Sequence, residues 1–287
     1  EKVRAWLTKF FQLDAFIPVV YADDAFAIPF ELIAKVSDNL PFVVDSNNNR
    51  VDEWDHSIKE LSYILPELKE FQVKLQVELP ENCNSGNSLQ LPVALALWKK
   101  TCENFPKYNP FLFVCSGAFD ENGLTKVAFC DKKYQNVKDT FPAQSIFCST
   151  ITPDLAALSH ENNLHQLPEN LSILEVQEAF KELIVQKHLA KFTPDFIREQ
   201  IPKIESEIRN SLTLNWTRCR ELLETYRKYI DEYLHLEDYL SLQSLYSVVL
   251  CHCGATDLAE KENDKALQLM KKYKLTKTVL RLQIEKM

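Results

Sequence analysis

Glycine is scarce in this chain: four residues among 287, at Gly86, Gly117, Gly123 and Gly254. A phosphate-cradling Gly-x-x-x-x-Gly-Lys loop and a Gly-x-Gly-x-x-Gly turn both need closely spaced glycines, and neither is present. No nucleotide-binding motor and no cofactor are therefore expected. A run of about 20 apolar residues, the length of a membrane helix, is also missing, so no membrane partner is expected. An excess of positive charge is missing too. Lys and Arg number 33 against 41 Asp and Glu, for a formal net charge of −8. Phosphate backbones select a basic face, so this balance argues against nucleic acid as a partner. The densest cationic stretch, Lys271-Lys272-Tyr273-Lys274, reads as a solvated helix face.

What is present is a globular composition, 46% hydrophobic and 26% charged, in a chain long enough for one large domain or two ordinary ones. The eight cysteines mostly sit inside apolar runs, as in Phe-Leu-Phe-Val-Cys115 and Ile-Phe-Cys148. That is the usage of reduced core cysteine in a cytoplasmic protein. Cys251-His252-Cys253 lacks a second ligand pair at zinc spacing, so no metal is expected. Residues 1–16 read as a charged amphipathic helix and not as a secretory signal. The chain opens on Glu1, as a fragment or a processed product would.

Along the chain, 41–45 reads as a short strand. Trp54, Ile58, Leu61 and Ile64 share one side of a helix over 52–65. Phe71, Val73, Leu75, Val77 and Leu79 alternate with polar residues, which predicts a half-buried strand over 71–79. A polar loop leads to Ser88 and an apolar helix over 89–104, with Pro92 in its first turn. Residues 111–115 read as a buried strand turning at Ser116-Gly117. Asp120-Glu-Asn-Gly123 is a hairpin turn, followed by a strand at 126–129, a helix opening at 133–139 and a strand at 144–148. Thr152 and Pro153 open a helix over 151–160, and another covers 173–183. After about residue 186 strand signals stop. Helices are predicted over 194–211, 214–234, 236–250, 256–273 and 276–286. The fold class is thus α/β (α+β) followed by an all-α region, divided as 1–186 and 187–287.

Three features stand in order: a strand, a loop with Gly86 and Ser88, and an apolar helix; a strand ending in Ser116-Gly117 with a turn at Gly123; and Val127-Ala-Phe-Cys-Asp-Lys132. This order resembles the Lon protease domain. Where that family has Val-Pro-Glu-Gly-Ala, this chain has Glu78-Leu-Pro80-Glu81-Asn-Cys. The nucleophile loop Gly-Pro-Ser-Ala-Gly corresponds to Gly86-Asn87-Ser88-Leu89-Gln90, and Thr-Gly-Glu to Ser116-Gly117-Ala118. The lysine motif Gly-Gly-Leu-Lys-Glu-Lys corresponds to Phe129-Cys130-Asp131-Lys132-Lys133-Tyr134. The resemblance is strongest over 36–185, and Lys132 follows Ser88 by 44 positions (132 − 88 = 44). Departures are the lost Pro and Ala beside the serine, the lost second glycine of that loop, and both lost glycines before the lysine.

The resemblance implies peptide hydrolysis by a Ser-Lys dyad, with Ser88 as nucleophile and Lys132 as general base. A serine hydroxyl needs a base, and a lysine in an apolar pocket can lose its proton near neutral pH. Asp131 beside Lys132 would oppose that loss, and Lys133 could take the role instead. Ser88 at a helix N-terminus places backbone N–H groups beside a developing oxyanion. The resemblance further implies a polypeptide substrate or protein partner, room for homo-oligomeric rings and a separate ATPase. The alternative is a catalytically inactive Lon-fold domain acting as an interaction or assembly module. A third reading is an unrelated α/β scaffold whose helical tail, 187–287, recruits a partner.

Overall fold

The computed structural model describes residues 15–21, 24–35, 40–78, 86–102, 105, 112–141, 145–158, 161, 163–210, 214–232 and 234–273. The chain divides into two compact units, Glu1–Glu182 and Leu183–Met287.

The first unit is mixed α/β. Its elements run β1 (Ala15–Tyr21), β2 (Asp24–Ala34), β3 (Val43–Val44), α1 (Asp52–Ile64), β4 (Phe71–Leu75), α2 (Gln90–Thr101), β5 (Phe113–Ser116), β6 (Ala118–Asp120), β7 (Gly123–Thr125), α3 (Cys130–Thr140), β8 (Ile146–Thr150), α4 (Pro153–Ala156) and β9 (Leu164–Leu167). The helix α5 (Ile173–Lys191) crosses into the second unit. Seven strands form one sheet in the order β3-β4-β2-β1-β5-β8-β9, and β6 and β7 form a separate hairpin. β1, β2 and β4 pair antiparallel, whereas β1, β5, β8 and β9 run parallel.

Alternation along the central strands decides what each face carries. Val114 and Phe147, which are register partners, pack with Tyr134 and Val137 of α3 and with Phe16. The adjacent Phe113 turns the other way, and its ring meets Phe180 of α5 edge-on at 6.0 Å, with Trp98 of α2 6.4 Å from the same phenylalanine. The sheet is therefore the middle of three layers. Burying Phe16, Phe30, Phe147 and Phe180 completely is worth roughly 1.5–3 kcal/mol each.

Several sequence expectations shift. Residues 1–14 lie outside the described residues, and Ala15 and Phe16 open a strand instead of ending a helix. The strand expected over 71–79 closes at Leu75. The strand expected at 126–129 lies earlier, at Gly123–Thr125, where Leu124 N–H donates to Leu171 O at 2.8 Å and Asn170 N–H to Leu124 O at 2.8 Å. Those bonds to a distant segment fix it there, a long-range preference that local alternation does not carry. Gly123 is needed at its turn: φ is +117°, and a Cβ would stand 2.4 Å from Leu171 O. The helix expected over 151–160 reduces to Pro153–Ala156, with Thr152 Oγ1 capping Leu155 N–H.

In the second unit all regular structure among the described residues is helical: the end of α5, α6 (Pro194–Asn210), α7 (Trp216–Lys228), α8 (Leu236–His252) and α9 (Thr256–Lys272). Thr193 caps α6 and Asn215 caps α7 through side-chain oxygens. α8 is the most buried, with Tyr239, Leu240, Leu242, Leu245, Tyr246, Val249 and Leu250 in the core. The helix expected at 276–286 lies outside the described residues. No helix among the described residues is long and apolar enough to cross a membrane.

Candidate active site

Ser88 lies in a single 3-10 turn, Gly86–Leu89, that runs directly into α2. It is held from two sides. Gly117, just past β5, donates its N–H to Ser88 O at 3.2 Å and accepts Leu91 N–H at 3.1 Å. A Cβ on Gly117 would stand 2.9 Å from Leu91 Cδ2, so the end of β5 lies tight against the first turn of α2, and a larger residue there would require the Leu91 side chain to shift. On the other side, Ser57 of α1 donates its hydroxyl to Gly86 O at 3.2 Å and contacts Asn87 Oδ1.

A pocket of about 440 Å³ opens beside this turn. Its walls are Val19 and Val20 of β1, Gly86 to Ser88, Ala118, and the segment Thr125 to Phe129, with Lys133 of α3 among them. Ser88 is 3% exposed and Lys133 5% exposed. Lys133 Nζ donates to Ser116 Oγ at 3.0 Å, at the end of β5. Burial pushes the Lys133 ammonium down to about 8, with the neighbouring Cys130 as the smaller, opposing influence. Behind this pair, Ser149 Oγ donates to the Ser116 backbone O at 2.8 Å, and Cys130 Sγ lies 3.1 Å from Ser149 Oγ. The lysine is thus removed from water yet left with a neutral partner. Such surroundings bring the free amine within reach at about pH 8, far below the range of an exposed lysine.

Of the two residues proposed from the sequence, Ser88 lines the pocket; Lys132 is not among its lining residues, and the adjacent Lys133 is. The reason is helical. α3 begins at Cys130, three residues earlier than its sequence signal. On that helix Cys130, Lys133, Tyr134 and Val137 share the buried face. Lys132 falls off that face and lies half-buried, its Nζ 5.9 Å from the Phe129 ring centroid. Asp131 is exposed and is not among the influences on Lys133. The periodicity Cys130, Tyr134, Val137 is visible in the sequence and would have singled out Lys133. Nothing local singles out Ser116, which meets the lysine, or Ser149, which bonds to Ser116 O, because sheet register brings them together.

Elsewhere, Cys251-His252-Cys253 ends α8, where His252 stacks on Trp216 at 3.9 Å. Among the described residues no three His, Cys, Asp or Glu side chains gather as metal ligands would. No protein-family model matches this chain, and no curated protein matches it.

Proposed function

We propose that the first unit is a Lon-like serine peptidase in which Ser88 is the nucleophile and Lys133, in place of Lys132, is the general base. The observation that carries this reading is that a buried serine and a buried amine line one pocket. In this reading the neutral Lys133 takes the Ser88 proton as the hydroxyl attacks a peptide carbonyl. The resulting ammonium donates to Ser116 Oγ and later protonates the leaving amine, after which water releases the acyl group. In this reading the oxyanion is stabilised by N–H groups of the turn entering α2. The backbone adds support. Phe129, at a position where the Lon motif has glycine, adopts left-handed φ 58° and ψ 33°, a conformation suited to glycine. A polypeptide substrate follows from the chemistry, and the helical second unit is assigned to recruiting it or a partner.

The test is a fluorophosphonate probe on the full chain, with Ser88→Ala as control. Labelling of the parent and none of the variant is expected. A folded parent that takes no label at any pH between about 6 and 10 removes the peptidase reading. The inactive, interaction-module reading would then stand, and the near-complete burial of Ser88 is the observation that favours it.

A further inference from the structure

The first turn of α2 carries a residue that its surroundings use more heavily than a helix start requires. Gln90 is wholly buried. Its amide nitrogen donates to Ser57 O of α1 at 3.0 Å, and its Oε1 accepts the backbone N–H of Phe119 in β6 at 2.7 Å. One side chain therefore joins α1, which holds the serine turn, to β6, which supplies a wall of the pocket. Ser57, held through its carbonyl, in turn holds Gly86 and Asn87, the two residues before Ser88. Asn87 Nδ2 also donates to Glu60 Oε2 at 3.3 Å, one turn further along α1. Phe119 follows Ala118, a wall of the pocket.

We propose that Gln90 is a positioning residue for Ser88: its amide locks α1, the serine turn and β6 into one frame. This inference rests on the peptidase reading for its catalytic consequence, but its geometric content does not. A buried amide with both ends satisfied is stringent. Deleting it leaves the Ser57 carbonyl and the Phe119 N–H buried without these partners, so the turn relaxes to re-satisfy them. Displacing a nucleophile by about 1 Å is enough to lower a rate roughly a hundredfold without changing what binds. The bonds also explain how the chain fares without the second glycine of the Lon serine loop. Gln90 fills that place and ties it to neighbours on either side.

The experiment compares the parent with Gln90→Met, which keeps length and apolar bulk, and Gln90→Glu, which keeps an acceptor for Phe119 N–H. The fluorophosphonate reaction is read as a maximal rate, an apparent affinity and a final amplitude. Gln90→Met should lower the maximal rate by about tenfold or more, leave affinity within about twofold and reach full amplitude. Gln90→Glu should recover part of the rate. The pH midpoint should not move, because Gln90 makes no bond to Lys133 or Ser116. Loss of amplitude at an unchanged rate would mean partial unfolding and overturn positioning. In parallel, amide hydrogen exchange is read on all three proteins. Gln90→Met should speed exchange at 86–91 and leave 130–140 unchanged. Unchanged exchange at 86–91 overturns the proposal even if the parent proves to have no peptidase chemistry, whereas a parent that takes no label while exchange shifts as expected counts only against the peptidase reading.

Discussion

Lys133 in the first unit and His188 in the second are both almost sealed from water, at 5% and 2% exposure. Burial lowers the proton affinity of both. Lys133 falls to about 8. His188 falls to about 4, from burial first and then from the charges of Lys228 and Lys191. The neighbours differ as much as the starting values. Lys133 has a hydroxyl partner and a pocket. His188 has the Phe192 ring 4.9 Å away, the Tyr229 ring edge-on at 5.8 Å, and Nδ1 3.2 Å from Tyr229 OH. Desolvation alone does not make a catalytic base. It brings an amine into the working range and takes an imidazole out of it, so the same force yields a candidate base in one unit and a neutral core residue in the other.

Replacing the amine tests this contrast with the largest effect. Lys133→Met should lower peptidase or probe-labelling rates by at least about a thousandfold, whereas Lys132→Met should stay within about twofold. The parent rate should rise with pH and level off above about 8. The linkage runs the other way for stability. A lysine whose folded pKa is depressed contributes stability above its unfolded value of about 10.4, and that contribution is lost as pH falls through about 8. At pH 7 the buried amine therefore costs on the order of 3 kcal/mol, partly offset by its bond to Ser116. Lys133→Met should melt a few degrees higher than the parent at pH 7, with the gap closing toward pH 10. An inactive variant that is also less stable at neutral pH would break the comparison.

His188 supplies the next effect. Its stability contribution is complete above about 6.5 and is lost as pH falls through about 4. Across that window the loss is on the order of 3 kcal/mol. His188→Phe keeps the ring among its aromatic neighbours and removes the titration. Thermal melts of parent and variant should run parallel from neutral to alkaline pH, and the parent should fall behind between about 6.5 and 4. Parallel curves throughout would show that His188 reaches water when protonated.

These contrasts also mark what the sequence made legible. The helix Asp52–Ile64 was readable because Trp54, Ile58 and Leu61 recur at helical spacing and are all fully buried. The second unit was readable for the same reason, helped by Thr193 and Asn215 as caps. β1 and β2 were not. Each carries a proline, Pro18 and Pro29, within the strand, a residue that normally speaks against a central position. Only their pairing with each other, with β4 and with β5 makes them strands. At the candidate site, the place of Ser88 at the entry to an apolar helix was legible. Lys133 was obscured by an identical neighbour, and the choice between them turned on where α3 begins. Ser116, Ser149 and Gln90 were illegible in that role, because their partners lie 17 to 33 residues away and meet them through tertiary structure.

Phe129 gives the smallest effect and the finest test of why Lys133 is lowered. Its left-handed backbone costs about 1–2 kcal/mol for a residue with a Cβ. Glycine removes that strain but loses about 0.5–1 kcal/mol to chain entropy. The ring is 57% exposed, so little burial is forfeited. Phe129→Gly should therefore stabilise by between about 0 and 1.5 kcal/mol. The same ring is one wall of the pocket that Lys133 lines. Opening that wall admits water toward the amine and weakens the desolvation that lowers it. The pH midpoint of the labelling rate should move upward from about 8, by less than one unit, while the His188 window stays where it is. A midpoint that holds still after the wall is removed would mean that the deeper layer around Ser116 and Cys130 sets the lysine, and that the pocket is incidental to its protonation.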